Sequence, residues 1–113
     1  MKEIISKPWG HEYLITSNDK YAGKILYINK GERLSRQYHN KKRETLYLVK
    51  GSALININDT TKLIKNKNIL KGQIIEIEPK TIHRIEAIED CIFFEISTSE
   101  LDDVVRLEDD YDR

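Results

Sequence analysis

No helical period persists for three turns anywhere before residue 98. Short runs rich in Ile, Leu, Val, Tyr, Phe and Thr are instead punctuated by Gly, Asn, Asp and Pro. The runs cover 24–28 (KILYI), 34–39 (LSRQYH), 45–50 (TLYLVK), 53–57 (ALINI), 61–65 (TKLIK), 73–78 (QIIEIE), 82–88 (IHRIEAI) and 91–97 (CIFFEIS). β-Branched and aromatic side chains suit a pleated, half-buried surface, and the punctuating residues supply turn geometry. About eight strands at roughly ten-residue spacing predict an all-β sandwich or barrel. The tail SELDDVVRLEDDYDR differs: it is acidic and opens on a capping-box pair, Ser99 and Asp102. A short irregular or helical segment is predicted there.

At 113 residues the chain suits one domain, 1–113, with no linker, internal repeat or low-complexity segment. Its hydrophobic fraction of 39% is enough for a modest core, and its formal net charge is zero. Zero net charge gives no overall field toward nucleic acid or anionic lipid. The basic residues are scattered and not interleaved with aromatics, so no nucleic-acid partner is expected. No apolar run approaches the ~18 residues of a membrane span, and the N-terminus lacks a signal-type apolar region. A single cysteine, Cys91, allows no intrachain disulfide, and a cytoplasmic location is the expectation. Cys91 lies in an apolar strand run, as an inert core thiol would.

The stretch QYHNKKRE (37–44) concentrates the groups that could carry chemistry. On a strand, Gln37 and His39 share a face, because side chains alternate with period two. In an antiparallel hairpin Glu44 would lie across from His39. His83, after a proline, could join from another part of a barrel. Gln, His, Glu and His together offer two imidazole nitrogens and two oxygens, a set that suits zinc, iron or manganese with positions left for substrate. The bland readings stand beside this: a surface histidine, and Glu44 as a solvated charge after a basic turn. No serine-nucleophile elbow and no glycine-rich phosphate loop is present.

Several longer stretches resemble a known family. GERLSRQYHNKKRETLYLVKG resembles the first cupin motif, and EPKTIHRIEA the second. KPWGHEYLI and DDVVRLEDDYDR resemble the two flanks of the type II mannose-6-phosphate isomerase cupin, a domain that usually follows a sugar-1-phosphate guanylyltransferase domain. The resemblance covers roughly residues 7–113 and implies a cupin double-stranded β-helix, commonly a homodimer. It implies a divalent metal, zinc first, with manganese, iron and cobalt as alternatives. The implied activity is interconversion of mannose 6-phosphate and fructose 6-phosphate. One position departs from the cupin pattern: where a second His usually follows the first by two residues, the chain has Lys41, whose ammonium has no lone pair for a metal. Gln37 is the natural substitute, and the zinc site of type I isomerases resembles such a Gln-His-Glu-His set. The expected metal ligands are therefore Gln37, His39, Glu44 and His83.

The remaining assignments are catalytic roles for Lys42 and Arg106, and substrate contacts from Arg84, Arg106 and Trp9. A guanidinium fork fits phosphate oxygens, but Arg106 could equally pair with a tail carboxylate. Lys42 could be a turn charge, and Trp9 could plug a barrel end. Three functions fit the residues: a sugar-phosphate isomerase, a metal cupin with other chemistry such as an epimerase or dioxygenase, and a non-catalytic sugar or sugar-nucleotide module. The third could serve a separate nucleotidyltransferase partner.

Overall fold

The computed structural model describes residues 3–58 and 64–112. Eleven strands follow one another: β1 Glu3–Lys7, β2 Gly10–Ser17, β3 Ala22–Ile28, β4 Arg36–Tyr38, β5 Glu44–Lys50, β6 Ser52–Asn58, β7 Ile64–Leu70, β8 Ile74–Ile77, β9 His83–Ala87, β10 Cys91–Ser97 and β11 Val105–Glu108. They form two antiparallel sheets, a six-stranded one in the order β1-β2-β3-β10-β5-β8 and a five-stranded one in the order β11-β4-β9-β6-β7. The all-β expectation holds. Three strands, β1, β2 and β11, fall outside the predicted runs, and residues 61–63 of the run TKLIK lie outside the described residues.

Period-two alternation decides which side chains meet between the sheets. In β5, Glu44, Leu46 and Leu48 point inward while Thr45, Tyr47 and Val49 point out. Leu26, Ile28 and Phe93 from the same sheet face Ile55, Ile69, Ile85 and Ala87 from the other, closing one apolar core with Trp9. The polar inward residues Glu12, Lys24, Glu44 and Glu95 lie toward one end of this interior, where the cavity described below opens. Cys91 is a buried free thiol, as expected.

The tail contains no helix. Ser99 lies at a bend and Asp102 within the turn at 101–102, and β11 then adds to the edge of β4 with Arg106 opposite Gln37. Arg84 fixes this tail: its guanidinium donates to the Leu34 carbonyl at 2.8 Å and to Asp110 at 2.9 Å. A charged edge strand such as VRLE also resists further pairing. Tertiary anchoring thus overrides the weak local helix signal.

The turn after Trp9 requires glycine. Gly10 adopts φ 152°, and a Cβ there would sit 1.9 Å from the Tyr27 carbonyl oxygen. The Trp9 carbonyl, in turn, accepts from Asn29 N–H at 2.9 Å, which holds the indole over the cavity end of the core. Gly10→Ala is expected to lower stability by about 2–3 kcal/mol, because the backbone must move to relieve the clash. A urea titration followed by tryptophan fluorescence measures it; an unchanged midpoint would contradict this account.

Candidate metal centre

His39 and Glu44 meet in a different way from the one the sequence predicts. They do not sit across a hairpin. β4 belongs to the five-stranded sheet and β5 to the six-stranded one, so residues 39–43 cross between the sheets. Glu44 therefore reaches His39 through the interior. His83 arrives from β9, whose residue 83 is in register with Gln37. His39, Glu44 and His83 are all buried, and their ligand atoms lie within 4.8 Å of one another.

The two imidazoles are oriented from behind. His39 Nδ1 lies 2.6 Å from the Asp103 carbonyl, and His83 Nδ1 lies 2.9 Å from the Thr81 carbonyl. A carbonyl can only accept, so both Nδ1 atoms carry a proton, and in the neutral rings both Nε2 atoms present a lone pair. Those Nε2 atoms are buried and have no hydrogen-bond partner among the described residues. They stand 3.5 and 3.4 Å from the same oxygen, Glu44 Oε1. Tetrahedral ligands at ~2.0–2.1 Å from zinc are separated by about 3.3 Å, so the spacing suits an ion held among the three. Buried, orphaned lone pairs directed at one carboxylate oxygen are costly unless something positive fills the gap. The donor set fits a divalent metal.

The loop carrying His39 is held at several points. The Asp103 carboxylate accepts from the Asn40, Lys41 and Lys42 N–H groups at 3.0, 2.6 and 3.0 Å. The His39 carbonyl accepts from the N–H of Lys80, which sits at φ 65°. Lys41 is exposed on this turn and contributes only its backbone N–H. The three N–H donors pull the Asp103 pKa down to about 2. A depressed carboxylate stabilises the fold above its unfolded pKa of about 3.9, and that contribution is lost as pH falls toward about 2. The Asp103→Asn protein should thus differ most from the parent at neutral pH and converge on it in acid, in urea titrations at pH 7 and pH 3.

Gln37 lines the same cavity as His39 and Glu44, and its Oε1 accepts from the Ser35 hydroxyl at 2.8 Å. One lone pair of that oxygen stays available. Arg106 also lines the cavity, at its exposed rim. Among the described residues it has no carboxylate within ion-pair distance, so the tail charges do not neutralise it. Trp9 is buried and lines the cavity as well as capping the core. The structure does not bring Arg84 to this site. It follows His83 by one residue, points to the opposite face, and is committed to the Leu34 carbonyl, Glu108 and Asp110.

A buried charge network forms the opposite wall, and the sequence runs hid it. Lys42 Nζ lies 3.1 Å from Glu44 Oε2 and 3.2 Å from Glu95 Oε2. Glu12 pairs with Lys24 at 2.8 Å and Lys7 at 3.1 Å. Burial alone would lower the Lys42 pKa, but Glu95 and Glu44 push it well up. An ammonium held in this way is a fixed cation and a poor base. Burial would raise the Glu44 pKa, yet the His39 and His83 rings beside it and the Lys42 charge hold it well below the usual carboxylate range. Glu95 goes the other way: burial and the Glu44 charge raise it more than Lys42 and Lys24 lower it. Its Oε2 is buried without a hydrogen bond, with the Lys42 ammonium off to one side. Cross-strand pairing of Glu95 with Lys24 and Leu46 produces this wall, a signal visible only once the strand order is known.

Several known proteins resemble this chain in sequence or in structure. The Salmonella typhimurium LT2 protein "Mannose-1-phosphate guanylyltransferase ManC" is 33% identical over the whole of this chain, which spans 24% of that protein. "Mannose-1-phosphate guanylyltransferase RfbM" of the same organism is 25% identical over 92% of the chain and 22% of its own length. The chain thus spans about a quarter of these relatives. Among solved structures, the Staphylococcus aureus capsular polysaccharide assembling protein CapF superposes with a TM-score of 0.82 at 18% identity, over 96% of this chain and 32% of that one. KdgF from Halomonas sp. superposes with a TM-score of 0.77 at 13% identity, over 88% of each chain. These neighbours establish the cupin fold. Residues 1–109 match the family described as "Mannose-6-phosphate isomerase C-terminal", and the chain is a cupin belonging to that family.

Proposed function

We propose that residues 1–113 form one metal-dependent cupin domain that interconverts mannose 6-phosphate and fructose 6-phosphate. The observation that carries this reading is the pair of buried imidazole nitrogens converging on Glu44, which, like the Arg106 guanidinium at the cavity rim, have no partner among the described residues. His39, Glu44 and His83 would hold the metal, with Gln37 as the fourth protein ligand. Zinc suits this N/O set best, and manganese, iron and cobalt are the alternatives. When bound, such an ion polarises the substrate carbonyl.

The chain's own residues supply the rest. Arg106 takes the phosphate at the cavity rim through its guanidinium fork. Glu95 is the group placed to move the carbon-bound proton. It takes hydrogen from C2, leaving a C1–C2 enediol, and returns it to C1. The hydroxyl proton passes between the adjacent O2 and O1 atoms. The raised Glu95 pKa brings its proton affinity closer to the working range of a general base. Lys42 is the fixed countercharge that keeps Glu95 and Glu44 oriented and does not act as the base. Cys91, a buried free thiol, agrees with a cytoplasmic setting.

The test is exchange of the C2 proton of mannose 6-phosphate in heavy water, with zinc, manganese and cobalt supplied in turn. Exchange is expected with at least one metal. Glu95→Gln should slow it about 100-fold or more while leaving metal content unchanged. No exchange with any metal would remove the isomerase reading. That outcome would favour a sugar-phosphate-binding module of a guanylyltransferase, the reading supported by the relatives' names and by the quarter of their length that this chain spans.

A further inference from the structure

Five successive strands of the six-stranded sheet each send one charged side chain to the cavity: Glu44 from β5, Glu95 from β10, Lys24 from β3, Glu12 from β2 and Lys7 from β1. Glu44 and Glu95 serve the metal and the proton transfer, whereas Lys24, Glu12 and Lys7 have no such part. The Glu12 side chain is only 8% exposed, and each of its oxygens takes one ammonium, Lys7 on Oε1 at 3.1 Å and Lys24 on Oε2 at 2.8 Å. Burial would raise the Glu12 pKa, but Lys24 and Lys7 lower it overall, so the group is an ionised carboxylate that can only accept. A carboxylate has about four lone-pair sites, and the two lysines occupy two of them. A buried ion cluster is a weak source of stability, and apolar residues of similar volume often serve as well or better. Apolar residues at 12 and 24 would simply continue the core that Leu26 and Trp9 begin. The charges instead keep a hydrogen-bonding wall where that core could have extended.

We infer that Glu12, clamped by Lys7 and Lys24, is a specificity residue that reads the chain hydroxyls of a phosphorylated sugar or polyol. Its place in the cavity supports this. Among the described residues, none from β6, β7, β8 or β9 lines the cavity, whereas β1 and β11, the edges of their two sheets, both contribute. The cavity therefore opens between those edges, where Arg106 sits. Glu12 lies two strands from Glu95 toward that opening, roughly 10 Å at about 4.8 Å per strand. A hexose phosphate with C1 and C2 at Glu95 and its phosphate at Arg106 lays its middle carbons along the intervening wall. Hydroxyls there can donate to the open lone pairs of Glu12 in charge-assisted bonds, roughly twice as strong as neutral ones. Lys7 and Lys24 carry three donors each, enough to serve Glu12 and the hydroxyl oxygens together. A wall built to pair with hydroxyls rejects a chain that lacks them, because its own polar groups are then left unpaired. The inference rests on the sugar-phosphate reading of the cavity but requires no turnover.

Two ligands test this on the full chain, with and without one equivalent of zinc. Mannitol phosphate, the reduced form of mannose 6-phosphate, keeps the hydroxyls but has no carbonyl to isomerise; inorganic phosphate has no carbon chain at all. Trp9, the single tryptophan, lines the cavity, so its fluorescence reports both titrations. The parent should bind mannitol phosphate more tightly than phosphate. Glu12→Gln should weaken mannitol phosphate at least about 10-fold, the scale of a lost hydrogen bond to a charged group. The same variant should bind inorganic phosphate as well as the parent or better, because a negative charge is gone and two ammoniums are released. A merely structural role for Glu12 would move both ligands in the same direction. Should Glu12→Gln fail to fold, Glu12→Asp keeps the charge and shortens the reach; it should weaken mannitol phosphate and leave phosphate unchanged. Parallel losses, no change in either variant, or a parent without preference for mannitol phosphate would overturn the inference and leave the sugar-phosphate reading standing. A parent that binds neither ligand would remove both.

Discussion

His39→Ala and His83→Ala proteins should each bind a divalent metal at least about 100-fold more weakly than the parent, which should take up one ion per chain. Loss of a mere supporting hydrogen bond behind a ligand already costs 10–100-fold, and these substitutions remove the ligand itself. The effect should be visible by isothermal titration with zinc and by elemental analysis after gel filtration. Two further variants separate the roles in the QYHNKKRE stretch. Gln37→Ala should weaken binding by about 10–100-fold if its free lone pair faces the ion. Lys41→Ala should change nothing, because that side chain is exposed on the turn. Stoichiometric metal in both histidine variants would place the ion at another site and remove the assigned centre. The parent's affinity should also rise with pH. Burial would lower the His39 pKa, but the hydrogen bond and charge of Glu44 raise it overall, so a proton competes with the metal over a wider range than at a free imidazole.

Replacing Lys42 with methionine should cost about 3–5 kcal/mol, the scale expected when one partner of a buried ion cluster is deleted. The methionine fills much of the same volume, so the loss is electrostatic: Glu44 and Glu95 are left facing each other without a cation. The double variant Lys42→Met with Glu95→Gln removes a second charge and should recover a large part of that loss. A double-mutant cycle by chemical denaturation isolates the coupling. Additive losses would mean that the Lys42–Glu95 contact carries little energy. Metal should rescue the single variant partially, because an ion at His39, Glu44 and His83 supplies a replacement positive charge beside Glu44.

The strands most legible from sequence were those whose apolar residues alternate cleanly, as in TLYLVK and CIFFEIS. The N-terminal pair β1 and β2 was missed because EIISK and GHEYLITS mix inward-facing Glu12 and Lys7 with apolar residues. Those charges belong to the cavity wall, and charge at inward positions breaks the apolar alternation. β11 was missed because its residues are charged and its strand character comes from pairing with β4. The histidines and Glu44 were named correctly as neighbours, but for a wrong geometric reason: residues 39–43 link two sheets and do not close a hairpin. Glu95 could not have been named at all. Its sequence context, FFEIS, reads as one polar residue on a core strand, and its meaning depends on Lys42 arriving from β5's approach loop. Arg84 shows the opposite failure, since adjacency to His83 in sequence places it on the other side of the strand.

The three groups that could hold the ion come from different places in the chain. His39 ends the β4 segment, Glu44 opens β5 in the facing sheet, and His83 opens β9, well over thirty residues further on. An unfolded chain can offer only the local His39–Glu44 pair, a weak chelator. Binding and folding are therefore linked almost completely, with little affinity diverted to the denatured ensemble. At a free metal concentration 1,000 times Kd, that linkage is worth about 4 kcal/mol, comparable with much of the net stability of a small domain. The ion would then act as a rivet between the sheets. Chelators would soften the whole sandwich, and metal availability would set the lifetime of the folded protein as well as its chemistry.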